Sequence, residues 1–192
     1  DQVGQLGAAE VGALTSAQIT SLKREALAAM GAEQIQAVKP TVVAALTTAQ
    51  VSGLTNAQVA DLTVSQAKSL TVGQMGAFTS SQISQLGAEQ VGALTGTQIG
   101  AISTGVISKL TADQIGSIGL NSINGLTTTQ LSKFTTDQVT ALTKDQVAKL
   151  TPTQIASFSS NQLKQFTQTQ VEGVTAQQKT ALTAAGKALP TY

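Results

Sequence analysis

The sequence predicts an all-α solenoid, a superhelical coil of very short capped helices with one helix per octapeptide. Three observations predict it. An apolar residue returns at every eighth position, a helix-capping pattern sits inside each eight-residue word, and the apolar spacing suits neither one long helix nor a β-solenoid.

The period comes first, because a missed internal repeat misassigns the whole fold. From Leu46 the chain runs LTTAQVSG, LTNAQVAD, LTVSQAKS, LTVGQMGA, FTSSQISQ, LGAEQVGA, LTGTQIGA. The consensus is L-T-x-x-Q-[VI]-x-x. Without any insertion, that frame places position 1 at every eighth residue from Leu6 to Leu182, and all 23 of these are Leu, Ile, Val, Met or Phe. Position 6 is apolar from Val3 through Val171, Ala67 being the smallest. Position 2 is Thr in 15 of the 23 words and position 5 is Gln in 17, with Glu10 a close substitute. A frame held this long is the mark of folded repeats rather than of low-complexity disorder.

The word itself encodes a helix start. Thr followed three residues later by Gln is a capping box, in which the Thr hydroxyl accepts the Gln N–H and the Gln side chain accepts the Thr N–H. With Thr as N-cap, Leu at position 1 and Val or Ile at position 6 become the two halves of a hydrophobic staple. Both internal prolines, Pro40 and Pro152, fall at position 3, the first helical residue, where the missing N–H costs nothing. Asp1, Glu25, Glu33, Glu89, Asp113, Asp137 and Asp145 fall at position 4, in the first turn that favours negative charge. Lys68, Lys109, Lys133, Lys149 and Lys164 fall at positions 7 or 8, in the last turn that favours positive charge. Each word therefore carries its own start and stop, and helices of five to seven residues are expected.

One continuous helix fails on geometry. Eight residues at about 100° each turn the apolar pair by about 80° per word, so no single face forms. A β-solenoid, the rival architecture, wants period-two alternation, which apolar spacings of five and three break. Its corners also favour regular Gly, Asn or Asp, and the chain holds only four Asn. Helices this short are unstable alone. Two buried apolar side chains per word give about 1.5–3 kcal/mol each, while ordering eight residues costs at least as much. Stability must come from stacking on a shared axial core lined by positions 1 and 6 and must grow with repeat number. The small residues that dominate position 7 would let successive helices approach closely. The recurrent Gln is explained first by capping, with an inter-turn ladder as an addition.

Two stretches depart from the pattern. Residues 22–45 carry Lys23 and Lys39 at the cap position and Ala26 and Val42 at position 5; LKREALAAM is a strong uninterrupted helix former, so a longer helix or a kink is expected there. In 102–126, Val106 and Ser122 replace Gln. Both read as drift, or else as a bend, a ligand patch or an assembly contact. Residues 1–178 are expected to form one continuous array and 179–192 a divergent C-terminal cap or tail, because Lys179 and Lys187 put charge on the core row. The chain opens in mid-pattern with no leader-like segment, as a processed protein or part of a longer array would.

Composition bounds function. Only 11% of residues are charged and the formal charge is +1, which gives no basic surface for nucleic acid. No Cys and no His occur, removing disulfides, the usual zinc ligands and the commonest general base. No phosphate-binding glycine loop, dinucleotide fingerprint or nucleophile elbow is present. We therefore expect no catalytic residues, no metal or cofactor site, and no enzyme. No apolar run is long enough to cross a membrane, so no membrane insertion is expected either.

LTPTQIASFSS at 150–160 resembles the opening helix of TAL-effector DNA-binding repeats. The likeness ends with that run, since the second helix and the base-reading residues are missing, and DNA binding does not carry over. Across nearly the whole chain, LTTAQVSGLTNAQVADL and its neighbours are similar to L-T-x-x-Q-[VI] tracts of very large bacterial surface or secreted adhesin-like proteins. That resemblance implies export and a structural role as an extracellular stalk, spacer or fibre segment. Head-to-tail self-association or contact with flanking repeats is the implied partnership. A solenoid that binds a protein or glycan along one face is the alternative.

Overall fold

The computed structural model describes residues 3–192. Asp1 and Gln2 lie outside the described residues, as does the side chain of Val3, so the first-turn place expected for Asp1 is not described. The described chain forms 21 short α-helices and two single turns of 3-10 helix at Val3–Gln5 and Ile123–Gly125, with no strand among the described residues.

The helix boundaries follow the capping words. Fourteen threonines at position 2, and Ser159, accept the backbone N–H of the residue three positions on, with extended backbone at the cap. At Thr47 the hydroxyl accepts from the Gln50 N–H at 3.1 Å, and the Gln50 Oε1 accepts from the Thr47 N–H at 2.9 Å. Where glycine replaces threonine, the return half of the box survives, as between the Gly31 N–H and Gln34 Oε1 at 2.8 Å. Pro40 and Pro152 each open a helix. Because the cap residue is itself extended, the helices run four to six residues rather than the expected five to seven, apart from Ala176–Ala184.

The longer helix expected from LKREALAAM does not form. That stretch keeps the octad rhythm as Arg24–Ala28, Ala32–Ala37 and Pro40–Val43. Met30 and Leu27 are both buried, and a straight helix would swing successive position-1 residues off the axis; core burial overrides local helix propensity. Lys23 and Lys39 cap nothing with their side chains. The second lapse is visible as a helix at Thr104–Ile107 without a side-chain cap and, beyond the capped helix Ala112–Ser117, as a 3-10 turn at Ile123–Gly125.

Positions 1 and 6 line one continuous core that runs from Val11 to Leu182. Every substantial helix–helix contact joins elements three words apart, such as Ala8–Gly12 with Ala32–Ala37 and Pro152–Ser157 with Ala176–Ala184. Each turn of the coil therefore touches only the turns before and after it, which is the quasi-one-dimensional contact pattern of a solenoid.

Small residues set the inter-turn spacing, as expected for position 7. A Cβ on Gly12 or Gly92 would meet the carbonyl oxygen of Ala37 or Ser117, in the following turn, at 3.1 or 3.0 Å. The tightest approach lies at the second lapse, where a Cβ on Gly125 would sit 2.3 Å from the Gly96 Cα.

The path changes at the C-terminus. Thr183 stands at a cap position but falls inside the nine-residue helix Ala176–Ala184, its hydroxyl donating to the Lys179 carbonyl. Lys179, on the core row, is exposed. The Lys187 ammonium donates to the carbonyls of Ala156 at 2.6 Å and Phe158 at 2.8 Å, and the Tyr192 hydroxyl donates to the Phe166 carbonyl.

Candidate functional site

The recurring polar feature of the molecule is a row of buried glutamines. Fifteen position-5 glutamines are buried, with exposures of 0–8%. An amide buried to this degree must be hydrogen-bonded to be tolerated, and among the described residues no buried side-chain N or O lacks a partner.

Each glutamine works in two directions. Its Oε1 closes the capping box of its own helix, while its Nε2 crosses to the preceding turn of the coil. Gln138 accepts from the Thr135 N–H at 3.0 Å and donates to the carbonyls of Ile107 at 2.9 Å and Leu110 at 2.8 Å. Those carbonyls lie 31 and 28 residues earlier. The same pair of offsets recurs at Gln50, Gln58, Gln66, Gln74, Gln82, Gln114, Gln146 and Gln178. The donors reach backbone, not one another, so the expected inter-turn ladder is a set of glutamine-to-carbonyl staples.

Contacts between neighbouring turns span 25 residues, as from Gly12 to the Ala37 carbonyl, to 31, as from Gln138 to Ile107, so one turn takes between three and four words. The carbonyls reached belong to position 6 four words back and position 1 three words back. These flank the bend between two helices; the position-6 carbonyl already accepts the N–H of the next position 1, as Ile107 does from Leu110 at 3.2 Å, and takes the amide as a second donor. One amide thus serves the N-terminus of its own helix and the C-terminus of another.

The lapses show what happens without it. Val106 stands at position 5 and carries only aliphatic carbon to the turn behind it. At the next lapse Ser122 Oγ donates to the Leu94 carbonyl at 2.8 Å, 28 residues back, taking over one half of the staple. Near the C-terminus Lys187 plays the corresponding part.

The remaining surface is chemically sparse. No group of three or more His, Cys, Asp or Glu able to hold a metal ion occurs among the described residues, and no helix is long and apolar enough to cross a membrane. Lys144 and Glu172 form an exposed ion pair at 3.2 Å, of a kind that contributes little to stability. A shallow open depression lined by Arg24, Glu25, Ala28 and Gly53 lies in the first lapse. An apolar void of about 20 Å³ (the space open to the centre of a water-sized sphere) lies in the core between Ile19, Leu27, Met30, Val38, Val43 and Leu54. Val64, Val72 and Leu120 are the exposed large aliphatics, all at position 3.

This architecture defines a class: a helical repeat solenoid whose repeating side chains are consumed by the fold. The pattern of the ALTTAQ repeat matches residues 27–64, 67–104 and 123–152, just over half of the chain, which belongs to that repeat family. The unmatched residues 105–122 fall within the second lapse. A comparison with curated proteins returns no match.

Proposed function

We propose that this chain is a non-enzymatic structural element, an extracellular stalk or spacer of a bacterial surface assembly. One observation carries the reading. The four side chains that define the repeat, at positions 1, 2, 5 and 6, are all spent on caps, staples and core, so what the sequence repeats is the coil itself. The exposed positions 3 and 4 vary freely, with Ser16, Arg24, Thr48, Val72, Pro152 and Gln168 all standing at position 3. Neither position repeats one residue type from word to word, so these positions present no row of identical contacts. Placement outside the cell rests on the likeness to surface and secreted repeat tracts, and a cysteine-free chain is compatible with it.

Within this reading, residues 179–192 are a cap. The Lys187 and Tyr192 side chains cover carbonyls that a following word would otherwise serve. Stacking of flanking octads or of a second copy is the partnership such a coil suits at its other face, where Leu6, Leu14 and Leu22 are only partly covered by the core.

Labelling of intact cells with an antibody against the chain tests the location; signal only after lysis would reject it. Calorimetric titration with cell-envelope glycans tests the structural role. No saturable heat is expected, whereas saturable binding would favour the solenoid binding module instead.

A further inference from the structure

We propose that the coil is a tension element that lengthens a few octads at a time under axial load and yields first where cap and staple are both missing or incomplete, at Val38–Ala45 and Ile102–Gly125. The proposal rests on the structural role proposed above, and it follows from how the contacts are distributed.

All substantial helix–helix contacts join neighbouring turns. Releasing one word breaks the packing of its two core side chains and the staples that join it to the turns on either side, and leaves the turns beyond those intact. No disulfide ties distant words together, since the chain has no Cys. A domain with a single cooperative core resists load until it fails as a whole; a one-dimensional array has no such core. Each word released adds about 27 Å of contour, at about 3.3–3.6 Å per residue.

The staples also say where yielding begins. Gln114 and Gln130 each reach back to the preceding turn with bonds of 2.6–3.3 Å. Of the two words that flank Gln114, one holds Val106, which makes no such bond, and the other holds Ser122, which makes one. The same two words carry the uncapped helix at Thr104–Ile107 and the 3-10 turn at Ile123–Gly125. The word Val38–Ala45, with Lys39 at its cap and Val42 at position 5, is deficient in the same way. All these words are weak twice over, in their own helix start and in their hold on the turn behind.

The test is optical-tweezers stretching of the full chain held at its two termini, for the wild type, Val106→Gln and the double variant Val42→Gln with Val106→Gln, with amide hydrogen exchange on each. The wild type is expected to extend in several small reversible steps, with the amides of 102–110 exchanging faster than those of 134–142. Val106→Gln supplies the missing staple to the Met75 and Phe78 carbonyls. It should slow exchange at 102–110 about thirtyfold, as two neutral hydrogen bonds of about 1 kcal/mol each would, and the double variant should raise the force of the first step. Release of nearly the whole contour in one event would overturn the tension element. Stepwise extension that the double variant leaves unaltered would overturn the assignment of the yield points. Neither result bears on whether the chain binds a ligand, which the calorimetric titration reads separately.

Discussion

Gln146 donates from its Nε2 to the carbonyl of Ile118 at 2.8 Å, one superhelical turn behind it in the chain. The same side chain accepts from the Thr143 N–H at 2.9 Å. One residue therefore starts a helix and sets the distance to the preceding turn, which explains why Gln recurs where Glu, its partner in many capping boxes, would serve the cap alone. An ionised carboxylate accepts from the cap N–H but has nothing to donate to a carbonyl.

The first prediction separates those two jobs. Gln138→Leu removes the acceptor for Thr135 and the donor for Ile107 and Leu110, and should lower stability by about 3 kcal/mol, three bonds at about 1 kcal/mol each. Gln138→Glu should be at least as damaging at neutral pH, since it buries a charge against two carbonyl oxygens. Those surroundings favour the protonated form and raise the folded-state pKa above the unfolded one. The variant should therefore be most stable at acid pH, where the protonated carboxyl donates, and lose stability as pH rises through the folded pKa. Denaturant titrations at several pH values check both variants.

Restoring a missing word should stabilise. Lys39 makes no side-chain cap and Val42 occupies position 5 of the same word. Lys39→Thr with Val42→Gln rebuilds the box and aims an amide at the carbonyls of Val11 and Leu14. A gain of about 1–2 kcal/mol is expected from one cap and the added bonds. Equilibrium unfolding of the double variant beside the wild type measures it.

Two glycines should respond oppositely to alanine. Gly125→Ala would place its Cβ 2.1 Å from the Gly96 oxygen and 2.4 Å from its carbonyl carbon, so the turns must part and several kcal/mol should be lost. Gly105 lies in the helix Thr104–Ile107 with nothing near its would-be Cβ. Gly105→Ala should therefore add about 0.5–1 kcal/mol. Thermal unfolding followed by circular dichroism distinguishes the two.

The core void near Val43 gives a fourth prediction. Val43→Ile adds one methylene to a site walled only by aliphatic side chains and Met30. It should raise stability by up to about 1 kcal/mol, as cavity filling does. The same substitution at Val147, fully buried and not lining that void, should be neutral or destabilising by overpacking. Chemical denaturation of the two variants side by side reads the difference.

Much of this fold was legible in the word L-T-x-x-Q-[VI]. The N-caps, the staple pair, the proline positions and the buried rows at Leu54, Val59 and their equivalents depend only on contacts within one word and on the period. The length of a superhelical turn was not legible, because nothing in one word states how far the chain turns at each bend; that angle is set by inter-turn packing, as between Gly12 and the Ala37 carbonyl. The second role of Gln was visible only as an expected ladder. Its true partners are backbone carbonyls, which carry no sequence signature. The helix predicted across LKREALAAM failed for the same reason, since its propensity is local and the burial of Leu27 and Met30 is not.

Contacts between neighbouring turns span 25 residues, from Gly12 to Ala37, to 31, from Gln138 to Ile107, so seven words make about two turns. Because the chain has no Cys, Asn56→Cys and Ala112→Cys, both exposed and seven words apart, place two unique spin labels for a pulsed electron-resonance distance. With helices stacked at about 8–10 Å per layer, a narrow distribution centred near 20 Å is predicted. A broad distribution, or one centred beyond about 40 Å as a straighter helical path at about 1.5 Å per residue would give, would contradict the account.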